Sequence, residues 1–542
     1  MKTPILGSSY VARSVNAADS RMVNLYPEIN AESGKEAAFL MRTPGLRKLD
    51  SYGTGPIRGL WTYAGYGFVV SGNELYRIDS NWDSQLIGTI IGRGPVSMSD
   101  NGNQLFIACN GPSYIYNLGL NTLQIVTDID FPGAQCVGYI DGYFVFSEPK
   151  SQKVWVTAIY DGGQIDPLDF ASVEGSPDDI VSLIVDHREV WIFGTNSVEV
   201  WYDAGLTDFP LARIQGAFNE IGCAATYSVA KLDNGLFWLG ADARGKGIVY
   251  RAEGYTGKRV STHAVEWQIQ QYPRIDDAIG YTYQQDGHAF YVLNFPSANT
   301  TWVYDAATGA WHERASWSDG YFRRHRGNCQ MAFNNEIVIG DYENGNIYAF
   351  DLDLYSDNYQ TQRWLRSWRA LPTGQNDLKR TTQHSLQLDC ETGVGNSAFD
   401  GEDYFYLCTE TPPSIPSEPI ETRAGVTILD RAGAIIYTRE IALSDEVADI
   451  ITEDGDNIYV YSVTLTGHDP QVMLRWSDDG GHTWSNEHWK SMGKIGQYGY
   501  RTIWRRLGMT QKIRDRVYEI SGTDAVKIAI SGAELILSPT NA

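Results

Sequence analysis

The chain reads as all-β: a β-propeller of six or seven blades over residues 50–360, then a discontinuous β-sandwich or barrel domain, 361–395 and 470–542, that carries an inserted small acidic β domain, 396–469. Three observations lead there. Aromatic residues make up 12% of the 542 residues, glycines number 54 and charged residues reach only 20%, a mixture that suits short strands and tight turns. One hairpin-like phrase recurs seven times. Beyond about residue 360 the phrase stops and the charge distribution changes.

The repeated phrase is a small residue, an alternating apolar run, a polar turn, and a second apolar run that ends on a small or polar residue. Its copies begin near Ile57, Val96, Cys136, Ile180, Cys223, Ala278 and Cys329, separated by 39 to 55 residues. Turns such as Asn101-Gly102, Asp141-Gly142, Asn234-Gly235 and Asp286-Gly287 tolerate positive φ, so each copy is expected to be a β-hairpin. A third, aromatic-rich strand follows in five copies, at 73–78, 113–116, 198–202, 301–304 and 346–350. Forty to fifty residues is the length of a four-stranded blade, and packing blades into a closed ring buries both faces of each while protecting strand edges. Irregular hairpins in a β-sandwich or solenoid are the competing arrangement, but they would not require the third strand to recur in register.

Residues 1–49 form a loop-rich arm, expected to pack across the first blade or onto a neighbouring subunit. In the C-terminal part, strands are expected at 384–390 and 471–476, with four more, 403–408, 425–429, 434–438 and 457–464, inside the insertion. The insertion holds 15 Asp+Glu against 3 Arg, whereas 361–384 and 490–516 together hold 13 Lys+Arg against 2 Asp+Glu. Arg363, Arg366, Arg369, Arg501, Arg505, Arg506, Arg514 and Arg516 are therefore expected to form a basic face for oriented docking on an acidic partner; a solvated basic face balanced by the insertion is the plain alternative.

Composition also excludes. A formal net charge of -23, from 43 Lys+Arg and 66 Asp+Glu, is wrong for a general nucleic-acid binder, because duplex affinity comes from cations that neutralise phosphate. The six cysteines have no Cys-x-x-Cys and no histidine at metal-ligand spacing, so they are expected to be buried free thiols, with no metal or other cofactor. The first residues lack the apolar core of a signal peptide and no window approaches ~18 apolar residues, so a protein of the reducing cytoplasm without membrane insertion is expected.

One motif is sharp. Ser477, Asp479, Gly481, Thr483 and Trp484 fit the Asp-box pattern S-x-D-x-G-x-T-W, in which the carboxylate and hydroxyls satisfy turn amides while the Trp packs beneath the hairpin. Sialidases carry this device repeatedly, which raises a carbohydrate-binding or sialidase-like reading; here there is one copy, outside the blade repeats. The chain has no G-x-S-x-G, phosphate-binding loop or H-E-x-x-H motif. Asp178-Asp179, Asp276-Asp277 and His312-Glu313 are read as solvated turn groups rather than acid/base pairs, and Arg323-Arg324-His325-Arg326 as an exposed blade connection or a contact for DNA or an acidic neighbour. No catalytic residue is assigned, and the chain is expected not to be an enzyme.

Segments VNLYPE at 23–28, RTPGL at 42–46, VWIFGTNSVEVWY at 190–202, WSDDG at 476–480 and WRRLG at 504–508 resemble the packaged-DNA stabilisation proteins of short-tailed bacteriophages, also described as tail hub or head-completion proteins. The likeness covers the arm, most of the repeats and the last 70 residues, but not the insertion. It implies a virion tail component assembled in the bacterial cytoplasm: a homo-hexameric ring below the portal and its adaptor that extends the DNA channel, closes it with a tail needle or plug and anchors a tailspike or fibre. Packaged DNA would pass without sequence-specific binding. The 16 Trp and 33 Tyr could supply broad subunit interfaces. An acidic lumen would keep DNA mobile by repulsion acting over about 8–10 Å.

Overall fold

A computed structural model describes residues 1–14, 18–30, 36–173, 175, 178–206, 209–242, 245–372, 380–394, 404–408, 441–443, 459–463, 469–510 and 516–540. Two compact units emerge: Ser8–Arg13 with Leu46–Asp351, and Met1–Gly7 with Ser14–Gly45 and Leu352–Ala542.

The first unit is a seven-bladed propeller. The repeat dictates it, since each hairpin phrase becomes the two inner strands of an antiparallel sheet. Blade one runs Ile57–Tyr63, Tyr66–Ser71, Glu74–Ile78 and Ser84–Thr89, paired in sequence order. Blades two to six start at Ser97–Asp100, Val137–Ile140, Ile180–Asp186, the split pair Gly222–Cys223 and Ala230–Leu232, and Ile279–Gln285. The turns take the positive φ that their residues tolerate, as at Asp141 (46°), Asn234 (55°) and Asp286 (51°).

Blade seven settles the count and closes the ring. Its strands Gly327–Phe333, Glu336–Asp341 and Asn346–Asp351 are completed by Gly45–Ser51, a segment from before blade one. The ring is thus locked by pairing its two chain ends, and opening it would strip a whole strand from a blade.

Adjacent inner strands touch around the axis. Val96 N–H donates to Arg58 O (3.1 Å), Val137 N–H to Ser97 Oγ (3.1 Å), Ser182 Oγ to Thr226 O (2.7 Å), Gly280 N–H to Tyr227 O (2.7 Å) and Asn328 Nδ2 to Ile57 O (3.0 Å). A Cβ on Gly138 would sit 2.5 Å from Val185 Cγ2, so the absence of a side chain there permits the approach of blades three and four. Six apolar clusters lie between successive blades, for example Phe68, Val70, Leu105 and Ile107 between one and two. Each fully buried Val, Leu, Ile or Phe contributes about 1.5–3 kcal/mol. An eight-residue helix, His263–Gln270, capped by Thr262, follows blade five.

The second unit is a β-sandwich. One sheet orders Met22–Val23, Trp364–Arg369, Val517–Gly522, Gln471–Ser477 and His488–Ser491; the other orders Leu25–Ile29, Ala38–Arg42, Ala529–Pro539, Thr381–Cys390 and Ile503–Met509. Leu25, Leu40, Trp364, Trp368, Leu386, Leu474, Trp504 and Ile520 are core residues drawn from both.

This corrects the reading of residues 1–49 as an arm laid on the first blade or on another subunit. Met22–Val23, Leu25–Ile29 and Ala38–Arg42 give the sandwich one strand and a hairpin, Ser8–Arg13 belongs to the propeller unit, and Gly45–Ser51 completes blade seven. Arg42 fastens them: it is 1% exposed, with Nε on Gln362 Oε1 (3.2 Å), Nη1 on Val526 O (3.0 Å) and Nη2 on Tyr355 O (3.1 Å). Desolvation pulls its pKa down to about 10. Beside it, a Cβ on Gly45 would lie 2.4 Å from Ser356 O and 2.6 Å from Leu354 O.

Within 396–469, Tyr404–Cys408, Ile441–Leu443 and Tyr459–Val463 form a three-stranded antiparallel sheet with Tyr459–Val463 central. The strands expected at 425–429 and 434–438 lie outside the described residues.

Candidate functional site

The Asp-box residues close the hairpin between Gln471–Ser477 and His488–Ser491. Asp479 Oδ1 accepts from Ser477 Oγ (2.6 Å), His482 N–H (3.0 Å) and Thr483 N–H (2.9 Å), and Oδ2 accepts from Thr483 Oγ1 (2.6 Å). Ser477 Oγ in turn accepts from Gly481 N–H (2.8 Å). Four donors on one carboxylate hold the Asp479 pKa far below the usual carboxylate range, with the Ser477 and Thr483 hydroxyls leading. Trp484 is half-buried, with the Arg475 guanidinium 4.7 Å from its ring centroid. All of this stabilises a turn.

Asp478, an unspecified position of the motif, does more. Its two oxygens accept from Arg516 Nε (2.7 Å) and Nη2 (2.8 Å), while Arg516 Nη1 donates to Leu507 O (2.7 Å). One buried arginine therefore ties the Asp-box hairpin to the strand Ile503–Met509 of the opposite sheet.

The eight arginines expected to make one basic face divide by this architecture. Arg366 is 1% exposed and donates to Ile5 O (2.7 Å) and Ser20 O (3.3 Å), with its pKa drawn down to about 10 by burial. Arg516 is 2% exposed. Neither can present charge to a partner, which corrects their placement on a docking face: Arg366 alternates with core Trp364 and Trp368 on its strand, and Arg516, just before Val517–Gly522, is held inward by Asp478 and Leu507 O. Arg363 is partly buried and pairs with Glu487 (3.0 Å), and Arg369 is partly buried. Arg514 lies outside the described residues. Arg501, Arg505 and Arg506 are exposed, and neither Arg505 nor Arg506 has an ion-pair partner among the described residues.

Arg505 and Arg506 owe their exposure to a bulge. The ladder with Thr381–Cys390 shifts between Gln383 and Ser385, and Arg506 takes φ 60°, so two consecutive arginines face outward between buried Trp504 and Leu507. Sequence reading had no access to this, since alternation alone would bury one of them.

The other groups singled out are structural. In 323–326, Arg324 lies 3.6 Å over the Tyr342 ring, His325 is 2% exposed and Arg326 pairs with Asp341 (3.1 Å), so this run is not an open basic connection. Burial, then the neighbouring Arg314 and Arg326 charges, pushes the His325 pKa down to about 3, and its Nδ1 accepts from Gly327 N–H (3.1 Å). Asp178 is not solvated: it is 7% exposed and caps the turn after blade four's second strand through Asn196 N–H (2.6 Å) and Ser197 Oγ (3.1 Å). Asp276 pairs with Arg274, Asp277 accepts from Ser297 N–H, and His312 and Glu313 are buried rather than solvated.

The axis of the propeller encloses a cavity of about 640 Å³ lined by the inner strands of all seven blades. A second, also about 640 Å³, lies in the sandwich where His488–Ser491 ends one sheet and Ile503–Met509 ends the other. Its walls include Trp476, His488, Trp489, Lys490, Arg505 and Arg506. The His488 imidazole stacks on Trp476 with centroids 4.7 Å apart, Trp489 is 55% exposed, and Trp504 Nε1 donates to His488 O (2.8 Å).

Comparison with known proteins finds a propeller and a sandwich in the same order, with the propeller match also taking in the N-terminal strands that the fold places in the sandwich. A family model described as "Bacteriophage P22 Gp10, beta-propeller" matches residues 1–355, and one described as "Bacteriophage P22 Gp10, beta-sandwich" matches 447–537. No curated protein sequence matches. Among solved structures, the chain is similar to the N-terminal domain of Nup159 (9% identity, 59% of this chain and 97% of that one, TM-score 0.37). It is also similar to the extracellular domain of the one-component system BT4673 from B. thetaiotaomicron (10%, 88% and 58%, TM-score 0.39) and to PorZ of Porphyromonas gingivalis (11%, 83% and 60%, TM-score 0.34). Likenesses of that size bear on nothing that follows. With its propeller and its sandwich both matched, this chain belongs to the bacteriophage P22 Gp10 family, the packaged-DNA stabilisation proteins of short-tailed phages.

Proposed function

We propose that the protein is a non-enzymatic tail hub: a homo-hexameric ring below the portal adaptor that extends the DNA channel, helps retain the packaged genome and anchors the needle and tailspike. Family membership over both folded units carries the reading. The exposed arginines of Ile503–Met509 supply a docking edge on a chain of net charge -23, where charge complementarity orients an encounter more than it adds affinity. The DNA path is assigned to the space enclosed by several copies, because an axial cavity of about 640 Å³ within one propeller is of small-molecule size.

The test is the mass of the purified protein alone and with its adaptor, together with negative-stain images. Six copies in a ring on the adaptor is the expected outcome. A chain that stays single in the presence of adaptor, or that hydrolyses a sialylated sugar, overturns the reading.

A further inference from the structure

The sandwich leaves both of its sheets open at one end, and the two open edges border the same groove. His488–Ser491 is terminal in one sheet and Ile503–Met509 in the other, with no described strand beyond either. An edge strand offers a row of backbone N–H and C=O groups to an added strand, and proteins normally blunt it with charge or by covering it. Here the charge is mostly positive: Lys490, Arg505 and Arg506 rim the groove, all exposed, the bulge at Arg506 turns two of them outward together, and the one carboxylate in the lining, Glu487, is already paired with Arg363 (3.0 Å). The floor is aromatic, formed by Trp476 under His488, with Trp489 standing half in solvent.

We propose that this groove is the binding site for an extended acidic peptide segment of a partner protein, which adds as a strand to one open edge, sets carboxylates against Arg505, Arg506 and Lys490, and lays an apolar side chain on Trp489. This deepens the docking reading above by naming the mode and chemistry of the partner. Strand addition draws affinity from main-chain hydrogen bonds and specificity from alternate side chains, and the groove supplies both kinds of contact. A peptide suits the site better than nucleic acid. About 640 Å³ accommodates a few residues, and three cations make only a short phosphate track.

The experiment measures binding of fluorescent twelve-residue peptides to the purified full-length chain by anisotropy. The peptides are an alternating Glu/Leu sequence, the same with Lys for Glu, and the Glu form N-methylated at alternate residues. The Glu peptide should bind at least tenfold tighter than the other two. R505E/R506E should weaken it at least tenfold, and W489A about fivefold, both with unchanged thermal unfolding because these side chains are exposed. Equal binding of Glu and Lys peptides, insensitivity to N-methylation, or tighter binding of a single- or double-stranded oligonucleotide at equal salt overturns the proposal. Ring formation scored on the same samples separates the readings: a chain that binds the peptide but forms no ring refutes the hub alone, and a ring of wild-type chains that ignores the peptide refutes the groove alone.

Discussion

Arg516 and Arg505 lie eleven residues apart in the same basic stretch, and the structure assigns them opposite consequences. Replacing Arg516 by Met removes a guanidinium that is 2% exposed and leaves the Asp478 carboxylate, 15% exposed, without its bidentate partner. Loss of one member of a buried ion pair costs about 3–5 kcal/mol, and the slight exposure of Asp478 places the expected value near the lower end, about 3 kcal/mol. For a folding unit of this size each kcal/mol moves the midpoint by about 2–4 °C, so the sandwich should melt roughly 6–12 °C lower. Differential scanning calorimetry of the full chain reads this directly. R505E should shift the midpoint by less than about 2 °C, as a surface change does. D478N/R516M should recover part of the loss, because no isolated carboxylate remains. A small shift for R516M, or a double variant as damaging as the sum of the singles, would refute the assignment of Arg516 as an internal tie.

Three further outcomes follow from the same geometry. Gly45→Ala drives a Cβ into the Ser356 and Leu354 carbonyls and should destabilise the chain by about 1–3 kcal/mol, read as a lower urea midpoint. Leu46→Asp places a charge at a fully buried position of the strand that closes blade seven, and should raise the rate of limited proteolysis within the propeller well before global melting. His325 is held neutral with its pKa near 3, below the ordinary value, so the unfolded chain takes up a proton that the folded chain refuses. Stability should therefore be complete above about pH 6.5 and fall by up to about 1.4 kcal/mol per pH unit below it, and H325N should flatten that dependence in urea titrations at pH 4–7.

Blade boundaries were legible because they rest on local chemistry. Period-2 alternation around turns that accept positive φ placed the inner hairpins at 57, 96, 136, 180, 278 and 329 within two residues of their observed starts. Blade five is the exception: its first strand is broken into Gly222–Cys223 and Ala230–Leu232, and the phrase near Cys223 covers both. The Asp box was equally legible, since Asp479 bonds only to residues within four positions of itself. Which arginines are available was not. Arg366 and Arg516 look like Arg505 in sequence, and their burial depends on carbonyls and a carboxylate up to 361 residues away.

What the sequence determined by itself is therefore every feature whose partners are near in the chain: the all-β class, the blade repeat, the turn motif, the acidic balance. Tertiary structure alone decided the rest. The count of seven needed the strand Gly45–Ser51 to join residues some 300 positions later, and the strands Met22–Val23, Leu25–Ile29 and Ala38–Arg42 became part of a sandwich through pairings with 364–369 and 529–530. The physical reason is that an edge strand's alternation says which face is buried but not which neighbour it pairs with; the choice is made by whichever distant edge offers free backbone groups and a matching apolar face.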